Sequence, residues 1–371
     1  MRKHYIFETM QINQTDKSIL RIDQLTFTRF IAAIAIVIYH FGQQAIPFNS
    51  GNIKFLVTQA NIGVSYFFVL SGFIMIIAYN RFPKIDAVDY LRNRFARIYP
   101  LIILSLLPFI GALLLFPGKV SLGAIVLNLT TLQAWIPGYA TVGNYPLWSL
   151  TVEIFFYICF PFLLNKIYKK YPLKNIVISI IAIWAVTMVI QHVLLNSVSN
   201  NGAQAFSSDI IYYFPPMHLN QFLIGNLAGL FVVAKQVSSG RRYDVFVLLS
   251  AAVIFLFLKY PFGINYHDGF LAWFFASFII FLSLNTGIIT KIFNLKPLVF
   301  LGEISFAIYV LQFPVFEITS TLIEKLHITA NANLIFYICL GLLIAVSAFC
   351  HIFVELPLRN RIKAIRLKPV V

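Results

Sequence analysis

The chain of 371 residues is 60% apolar and 11% charged, and its mean hydropathy is +0.83. Soluble domains are about 45–50% apolar and about 25% charged, so this composition excludes an ordinary soluble enzyme or binding domain. The net charge of +15 does not indicate a nucleic-acid partner, because the lysines and arginines lie in short segments between long apolar runs, as expected at an anionic membrane surface.

Ten apolar runs are long enough to cross a bilayer, which takes about 20 residues. They lie near residues 27–46, 60–80, 98–117, 147–166, 175–195, 216–234, 244–260, 268–287, 298–320 and 333–354. The stretch 120–135 is also apolar, but it is short and interrupted by polar residues, so we interpret it as an interfacial or re-entrant helix. The predicted fold class is therefore all-α, a polytopic transmembrane helix bundle of about ten spans.

The basic residues predict the orientation of this bundle. If the N-terminus is cytoplasmic, 23 of the 28 lysines and arginines fall in inner segments and 4 in outer segments. This asymmetry follows the positive-inside rule and predicts that both termini are cytoplasmic. We divide the chain into a cytoplasmic N-terminal segment (1–24), a transmembrane domain (25–358) and a basic cytoplasmic tail (359–371), in the cytoplasmic (inner) membrane of a bacterium.

The first span contains two ionisable residues, which are costly at membrane depth and are therefore functional candidates. Arg29 and His40 are eleven residues apart, so in an α-helix they share a face and lie about 16 Å apart along the axis. Two simpler explanations stay open. His40 alone is often only a hydrogen-bonded packing residue, and Arg29 alone can extend towards the cytoplasmic headgroups.

The fourth and ninth spans add further polar residues. Glu153 is expected about 9 Å below the outer surface, at a depth similar to that of His40. A carboxylate beside an imidazole can orient the ring and raise its basicity, although a purely structural His–Glu pair is an equal alternative. Ser305, Tyr309 and Gln312 form a polar stripe on the ninth span, and such stripes also hold membrane helices together.

Three arginines, Arg92, Arg94 and Arg97, stand in the predicted cytoplasmic turn before the third span. Arginine binds phosphate through paired hydrogen bonds, so the cluster favours recognition of an anion, with ordinary positive-inside charge as the alternative. No residues have the spacing of metal ligands, and we expect no metal and no tightly bound cofactor.

Six segments carry a pattern that is specific when they are taken together in chain order. They are Leu25 to His40 with its Arg-x10-His spacing, Phe67 to Phe73, Arg94 to Pro100, Trp148 to Tyr157, Gly302 to Tyr309, and Glu355 to Arg359. This pattern resembles the acyltransferase-3 family of integral membrane acyltransferases over nearly the whole chain. The chain departs from the family at Gln312, where many relatives have histidine, which puts a second catalytic imidazole in doubt.

The resemblance implies an enzyme that transfers an acyl group, most often acetyl, from cytoplasmic acyl-CoA to a hydroxyl of a carbohydrate or glycan acceptor. It implies that His40 is the catalytic residue, with Arg29 as its motif partner. The expected site residues are His40 and Glu153 for catalysis and Arg29, Arg94, Arg97, Trp148, Ser305 and Tyr309 for binding of the donor or acceptor. Acyl-CoA, a glycan and membrane lipids are the expected partners.

Two questions stay open at this point. Transfer is either direct or passes through an acylated residue or carrier. The alternative function is a transporter or flippase for a lipid-linked saccharide, which would use the same intramembrane polar residues to line a pathway. Such a transporter is expected to have inverted repeats and interrupted spans in matching halves, and the sequence has neither.

Overall fold

The computed structural model describes residues 22–116, 121–201, 204–234, 241–260, 266, 269–328 and 330–364. Over these residues the regular structure is helical and contains no strand, which confirms the predicted all-α fold class. Residues 1–21 and 365–371 lie outside the described residues, so the cytoplasmic N-terminal segment (1–24) and the basic tail (359–371) stay predictions.

Fifteen α-helices are described, and we number them in chain order. They are α1 Asp23–Val37, α2 Lys54–Thr58, α3 Gly63–Tyr79, α4 Ala87–Leu115, α5 Leu122–Thr130, α6 Leu147–Phe162, α7 Leu173–Asn201, α8 Gln204–Tyr213, α9 Leu219–Ala234, α10 Asp244–Lys259, α11 Ala272–Leu284, α12 Ile288–Phe293, α13 Lys296–Lys325, α14 Ala332–Cys350 and α15 Leu356–Ala364. Wider π-helical turns follow three of them, at Ile38–Gly42, Leu163–Tyr168 and His351–Glu355.

Eight helical segments in the described part of the chain are long and apolar enough to cross a membrane. They coincide with eight of the ten predicted spans, so the protein is a multi-pass membrane protein. The other two predicted spans correspond to α10 and α11, which have 16 and 13 residues and pack against each other. The number of ten spans and the cytoplasmic position of both termini stay predictions.

The ambiguous apolar stretch forms two short elements within residues 121–135. α5 has nine residues and is followed by a 3-10 turn at Gln133–Trp135. A nine-residue helix is about 14 Å long, which is too short to cross the bilayer. The sequence interpretation of an interfacial or re-entrant helix therefore agrees with the length of α5, which packs on α4.

α3 and α9 cross with their backbones in direct contact. A Cβ atom on Gly72 would lie 2.2 Å from the carbonyl oxygen of Phe222, and a Cβ atom on Gly225 would lie 2.0 Å from the carbonyl oxygen of Val69. Gly229 continues the contact one turn after Gly225, so α9 presents the small-x3-small pattern typical of close membrane helix pairs. This crossing fixes α3 at the centre of the bundle.

α1 lies equally close to α13. A Cβ atom on Gly302 would lie 2.0 Å from the carbonyl oxygen of Thr26, so glycine is required for this approach. The contact places the first span, which contains Arg29 and His40, beside the polar stripe of α13. α4 and α6 also pack against each other, and α4 packs on α13. The residues of the six family-like segments are therefore brought to one region of the bundle.

Candidate active site

One cavity is lined by arginines, and we call it the arginine cavity. It encloses about 760 Å³ of empty space, part of which is open to solvent. Its polar lining comes from Arg29, Ser71, Arg94, Arg97, Ser149, Glu153, Tyr157, Ser305 and Tyr309. Six of the eight predicted site residues are in this set. The structure thus brings α1, α3, α4, α6 and α13 together around a cationic space.

Arg94 is held by aromatic side chains. Its Nη2 donates a hydrogen bond to the Tyr79 hydroxyl at 2.9 Å, and its guanidinium lies over the rings of Tyr79, Tyr90 and Tyr157 at 5.3–5.7 Å. Ring faces attract a cation without neutralising its charge. The sequence had predicted that Arg94 and its neighbours lie in a turn. They lie inside α4 instead, because the helix extends beyond the apolar run and begins at Ala87.

Glu153 also faces the arginine cavity, and this corrects one prediction. Its Oε1 accepts hydrogen bonds from the Tyr157 hydroxyl at 2.5 Å and from Ser71 Oγ at 3.4 Å, and the carboxylate interacts electrostatically with Arg29. The expected pairing of Glu153 with His40 is wrong. His40 lies in the π-helical turn Ile38–Gly42, which changes the α-helical register assumed from the sequence. Glu153 therefore balances part of the arginine charge.

A second cavity contains the histidine, and we call it the histidine cavity. It encloses about 930 Å³ of empty space. Its lining consists of Ile36, Tyr39, His40, Asn61, Val64, Tyr145, Trp148, Tyr212, Tyr213 and Tyr309. Val64 and Tyr309 line both cavities, so the two spaces are neighbours that meet at this pair.

His40 is oriented by Gln312 and not by a carboxylate. Its Nδ1 lies 2.9 Å from Oε1 of Gln312, and Nε2 of the same amide donates to the carbonyl oxygen of Tyr309 at 2.8 Å. Because the amide nitrogen is used in that bond, the amide oxygen must accept from His40, which requires the proton on Nδ1. Nε2 of the neutral imidazole then has a free lone pair. Gln312 is fully buried, so this arrangement is fixed by the packing of α13.

Aromatic rings confine the imidazole of His40. The ring centroids of Tyr145 and Phe313 lie 5.3 Å and 5.1 Å from its centroid, each in an edge-to-face arrangement, and Tyr145 stacks on Phe313. Such contacts prefer defined angles between the rings. The amide fixes one nitrogen of His40 and the aromatic rings fix the plane, so the imidazole is positioned before any ligand binds.

Tyr309 stands between the two cavities. Its hydroxyl lies 2.7 Å from Ser149 Oγ, which in turn donates to the carbonyl oxygen of Pro146 at 3.0 Å. The Tyr309 hydroxyl also lies 3.3 Å from the carbonyl oxygen of Pro146 and can donate to it. This chain of hydrogen bonds joins α13 to the start of α6, and a molecule that reaches from one cavity into the other must pass it.

Five of the six family-like segments contribute lining residues to these two cavities, and a comparison with known proteins decides the family. The profile of an acyltransferase domain matches residues 22–352 of the chain, which is most of its length. The chain belongs to the acyltransferase-3 family. The resemblance stated from the six segments is thereby confirmed, and so is the prediction of an enzyme family that transfers acyl groups.

Two bacterial relatives of this acyltransferase-3 protein are informative. Acyltransferase MdmB of Streptomyces mycarofaciens is 31% identical over 170 residues, which are 43% of this chain and 43% of MdmB. O-acetyltransferase OatA of Staphylococcus aureus (strain NCTC 8325) is 23% identical over 361 residues, which are 90% of this chain and 56% of OatA. The chain thus matches about half the length of these relatives. No solved structure matches the chain.

All eight predicted site residues of this acyltransferase-3 protein line one cavity or the other. His40 and Trp148 line the histidine cavity, Tyr309 lines both, and the other five line only the arginine cavity. The sequence did not single out the tyrosines of the histidine cavity, namely Tyr39, Tyr145, Tyr212 and Tyr213. It placed Gln312 on the polar stripe of the ninth span and noted it as a departure from relatives, but did not predict that it contacts His40.

Proposed function

We propose that the protein is a membrane O-acyltransferase that transfers an acyl group, most simply acetyl, from acyl-CoA to a hydroxyl of a carbohydrate or glycan, with His40 as the general base. The observation that carries this proposal is the meeting of an arginine cavity and a histidine cavity at Tyr309. Family membership and the O-acetyltransferase relative support the same reaction class. The proposed location is the cytoplasmic membrane of a bacterium, where acyl-CoA reaches the inner side.

The arginine cavity suits the donor. Phosphates of CoA are polyanions, and the guanidinium groups of Arg94 and Arg97 lie three residues apart on one face of α4. Apolar side chains such as Leu70 and Ile74 line the remaining wall and offer a surface for the pantetheine arm. When acyl-CoA binds in this way, its phosphates contact the arginines and its thioester extends towards Tyr309. No tightly bound cofactor is part of the proposal.

The histidine cavity suits a glycan acceptor. The aromatic lining provides flat apolar faces together with hydroxyl groups, which is the combination that amphipathic sugar rings contact. The hydroxyl groups of Tyr145 and Tyr213 lie 3.3 Å apart, and burial raises the pKa of Tyr213 above its usual range. The Tyr213 hydroxyl therefore stays protonated and can donate a hydrogen bond. Among the lining residues that are described, His40 is the one whose side chain can act as a neutral nitrogen base.

The proposed chemistry uses the free nitrogen of His40. Nε2 takes the proton of the acceptor hydroxyl as its oxygen bonds to the thioester carbonyl carbon. The carbon–sulfur bond then breaks, and the CoA sulfur leaves with the proton returned by the imidazolium. Gln312 accepts a hydrogen bond from Nδ1 throughout and so keeps the ring in the required tautomer. Transfer is direct in this scheme, and no acylated residue is needed.

Replacing Arg97 with alanine is expected to raise the apparent KM for acetyl-CoA about tenfold and to change kcat little. Arg97 lines the arginine cavity, and a charge-assisted hydrogen bond contributes about 1.5–3 kcal/mol, which corresponds to about tenfold or more in affinity. The measurement is CoA release by the purified protein as a function of acetyl-CoA. Lys84→Ala is the matched control, because Lys84 is an exposed cation of the same region. An unchanged KM in Arg97→Ala would exclude this residue from the donor site.

Replacing Gln312 with leucine is expected to lower kcat by about 10- to 100-fold, because the neutral imidazole loses the acceptor that selects its tautomer. The apparent KM for acetyl-CoA should not change, since Gln312 lies outside the arginine cavity. Rates are normalised to the fraction of protein that binds acetyl-CoA, so that partial misfolding does not count. A variant that keeps the wild-type kcat would show that Gln312 does not position His40.

Two adjoining cavities also fit the alternative, a transporter or flippase for a lipid-linked saccharide. The experiment that separates the two functions uses the purified protein in lipid nanodiscs with acetyl-CoA labelled in the acetyl group. The enzyme releases CoA, and label moves to neutral oligosaccharides added as acceptors or to water. A protein that releases no CoA above the rate without enzyme, with or without oligosaccharides, contradicts the acyltransferase and favours the transporter.

A further inference from the structure

α15 forms the end of the last membrane-crossing segment, Ala332–Ala364, and packs along α4, the helix that contains Arg94 and Arg97. On α15, the partly buried residues Leu356, Arg359 and Ile362 recur every three positions, whereas Arg361 and Lys363 are exposed. Residues three or four apart share a face of a helix. The face of α15 that contains Arg359 is therefore turned towards the bundle, and Arg361 lies outside this face.

The packing of α15 gathers like charges around the arginine cavity. Lys363 lies one turn after Arg359 and interacts electrostatically with Arg359, Arg94 and Arg97. Arg97 in turn interacts with Arg29 of the first helix. Cations this close repel one another, and the repulsion is stronger where water is excluded. A fold that brings them together is stabilised by any anion that binds among them.

Glu153 and Glu355 interact electrostatically with Arg29 of this group, but each is hydrogen-bonded to another side chain. Glu355 is bonded to His351 at 2.8 Å, Glu153 is bonded to Tyr157, and Asp89 pairs with Arg92 at 2.7 Å. Nε of Arg359 is buried and has no hydrogen-bond partner within the part of the chain that the structure describes. A buried donor without an acceptor is unfavourable, so this atom is suited to an anion that is not part of the protein.

We propose that Arg359 and Lys363 of α15 complete a phosphate site with Arg94 and Arg97, and that the phosphorylated nucleotide of an acyl-CoA binds there. The inference rests on the proposed function and adds to it the part of the donor that the site recognises. The pantetheine arm then runs from α15 into the arginine cavity. A thioester on phosphopantetheine alone has fewer phosphates and lacks the nucleotide, so the site selects CoA over a carrier-bound acyl group.

The test compares two thioesters and three variants. Affinities for acetyl-CoA and for acetyl-4′-phosphopantetheine are measured by titration calorimetry on the full chain in phosphatidylcholine nanodiscs at fixed salt. In the double variant Arg359→Ala, Lys363→Ala, we expect the affinity for acetyl-CoA to fall by about 10- to 100-fold and that for acetyl-4′-phosphopantetheine by less than about threefold. Arg361→Ala, on the exposed side of α15, should bind both thioesters as the wild type does.

A charge-preserving variant distinguishes loss of the phosphate site from misfolding. Arg359→Lys, Lys363→Arg keeps two cations on the same face and should retain most of the affinity for acetyl-CoA. The inference is overturned if the double alanine variant binds acetyl-CoA like the wild type, or if it loses both thioesters to the same extent.

Anionic lipid headgroups offer the same phosphate chemistry, so the titrations are repeated in nanodiscs that contain phosphatidylglycerol. A double alanine variant that keeps its affinity for acetyl-CoA but no longer co-purifies with phosphatidylglycerol would assign α15 to lipids and overturn the inference. A wild-type protein that binds neither thioester would contradict the proposed function itself, which is a different result from a failure at α15 alone.

Discussion

Replacing His40 with alanine is expected to lower the rate of CoA release by about 10²–10⁴-fold, which is the usual contribution of a general base. The variant loses Nε2 of His40. Among the described residues that line the histidine cavity, this is the only nitrogen with a free lone pair. Binding of acetyl-CoA should be retained, because the phosphates are expected to bind at the arginine cavity. The measurement is the turnover of acetyl-CoA by the purified protein at a saturating concentration.

The matched control for this variant is His192→Ala. His192 is an exposed histidine of α7 whose Nε2 lies 3.1 Å from Nδ2 of Asn196, and it is absent from the lining of both cavities. Its replacement should leave turnover unchanged. Wild-type turnover in His40→Ala would contradict the mechanism. Loss of turnover in both variants would show that the assay reports folding and not catalysis.

Replacing Gly225 with alanine is expected to destabilise the protein by about 3 kcal/mol or more, at or above the upper end of the range for an overpacked core. The added Cβ atom would lie 2.0 Å from the carbonyl oxygen of Val69, and a backbone atom cannot move aside without separating α3 from α9. α3 contributes Ser71 to the arginine cavity, so the site should be lost together with the helix crossing. The measurement is the midpoint of thermal unfolding, with the monodisperse yield after gel filtration.

Gly341→Ala is the control for the glycine substitution. A Cβ atom at this position in α14 meets no atom within 4 Å, and alanine has the higher helix propensity. We expect its stability to be equal to or slightly above that of the wild type. A Gly225→Ala variant as stable as Gly341→Ala would contradict the direct backbone contact between α3 and α9.

The membrane fold is largely readable from the sequence, because a bilayer accepts few alternatives to an apolar helix. The predicted spans 60–80 and 216–234 agree closely with the helical segments Ala60–Tyr79 and Pro215–Ala234. The third span was predicted from residue 98, whereas its helix begins at Ala87. Hydropathy detects the part of a helix that lies in lipid, and the arginines of α4 lie on a polar continuation that has no such signal.

The sequence predicted the individual residues of the site but not the contacts between them. Periodicity within one helix and the family-like motifs identified Arg29, His40 and Glu153, and each lines a cavity. The partner of His40 was missed, because spacing within a span gives depth and face but not the neighbouring helix. The close approach of α13 to α1 at Gly302 decides that Gln312, and not a carboxylate, meets the imidazole.

The aromatic wall of the histidine cavity shows a second limit of the sequence. Tyr145 precedes α6, while Tyr212 and Tyr213 stand at the end of α8, where no span had been predicted. Such residues have neither helical periodicity in a span nor a charge that is costly at membrane depth. Asn144 donates to the carbonyl oxygen of Val310 at 2.9 Å and so holds the segment with Tyr145 against α13, while α8 packs on α6. Contacts of this kind are set by the tertiary fold alone.

The measurement that tests the account most directly is equilibrium binding of acetyl-CoA to the purified protein in nanodiscs. The account predicts saturable binding of one molecule per chain to the wild type and to His40→Ala, with affinity at least about tenfold weaker in Arg97→Ala. Slow release of CoA should accompany binding in the wild type and be absent from His40→Ala. If no short-chain acyl-CoA binds to the wild type, the arginine cavity is not a donor site and the acyltransferase account is contradicted.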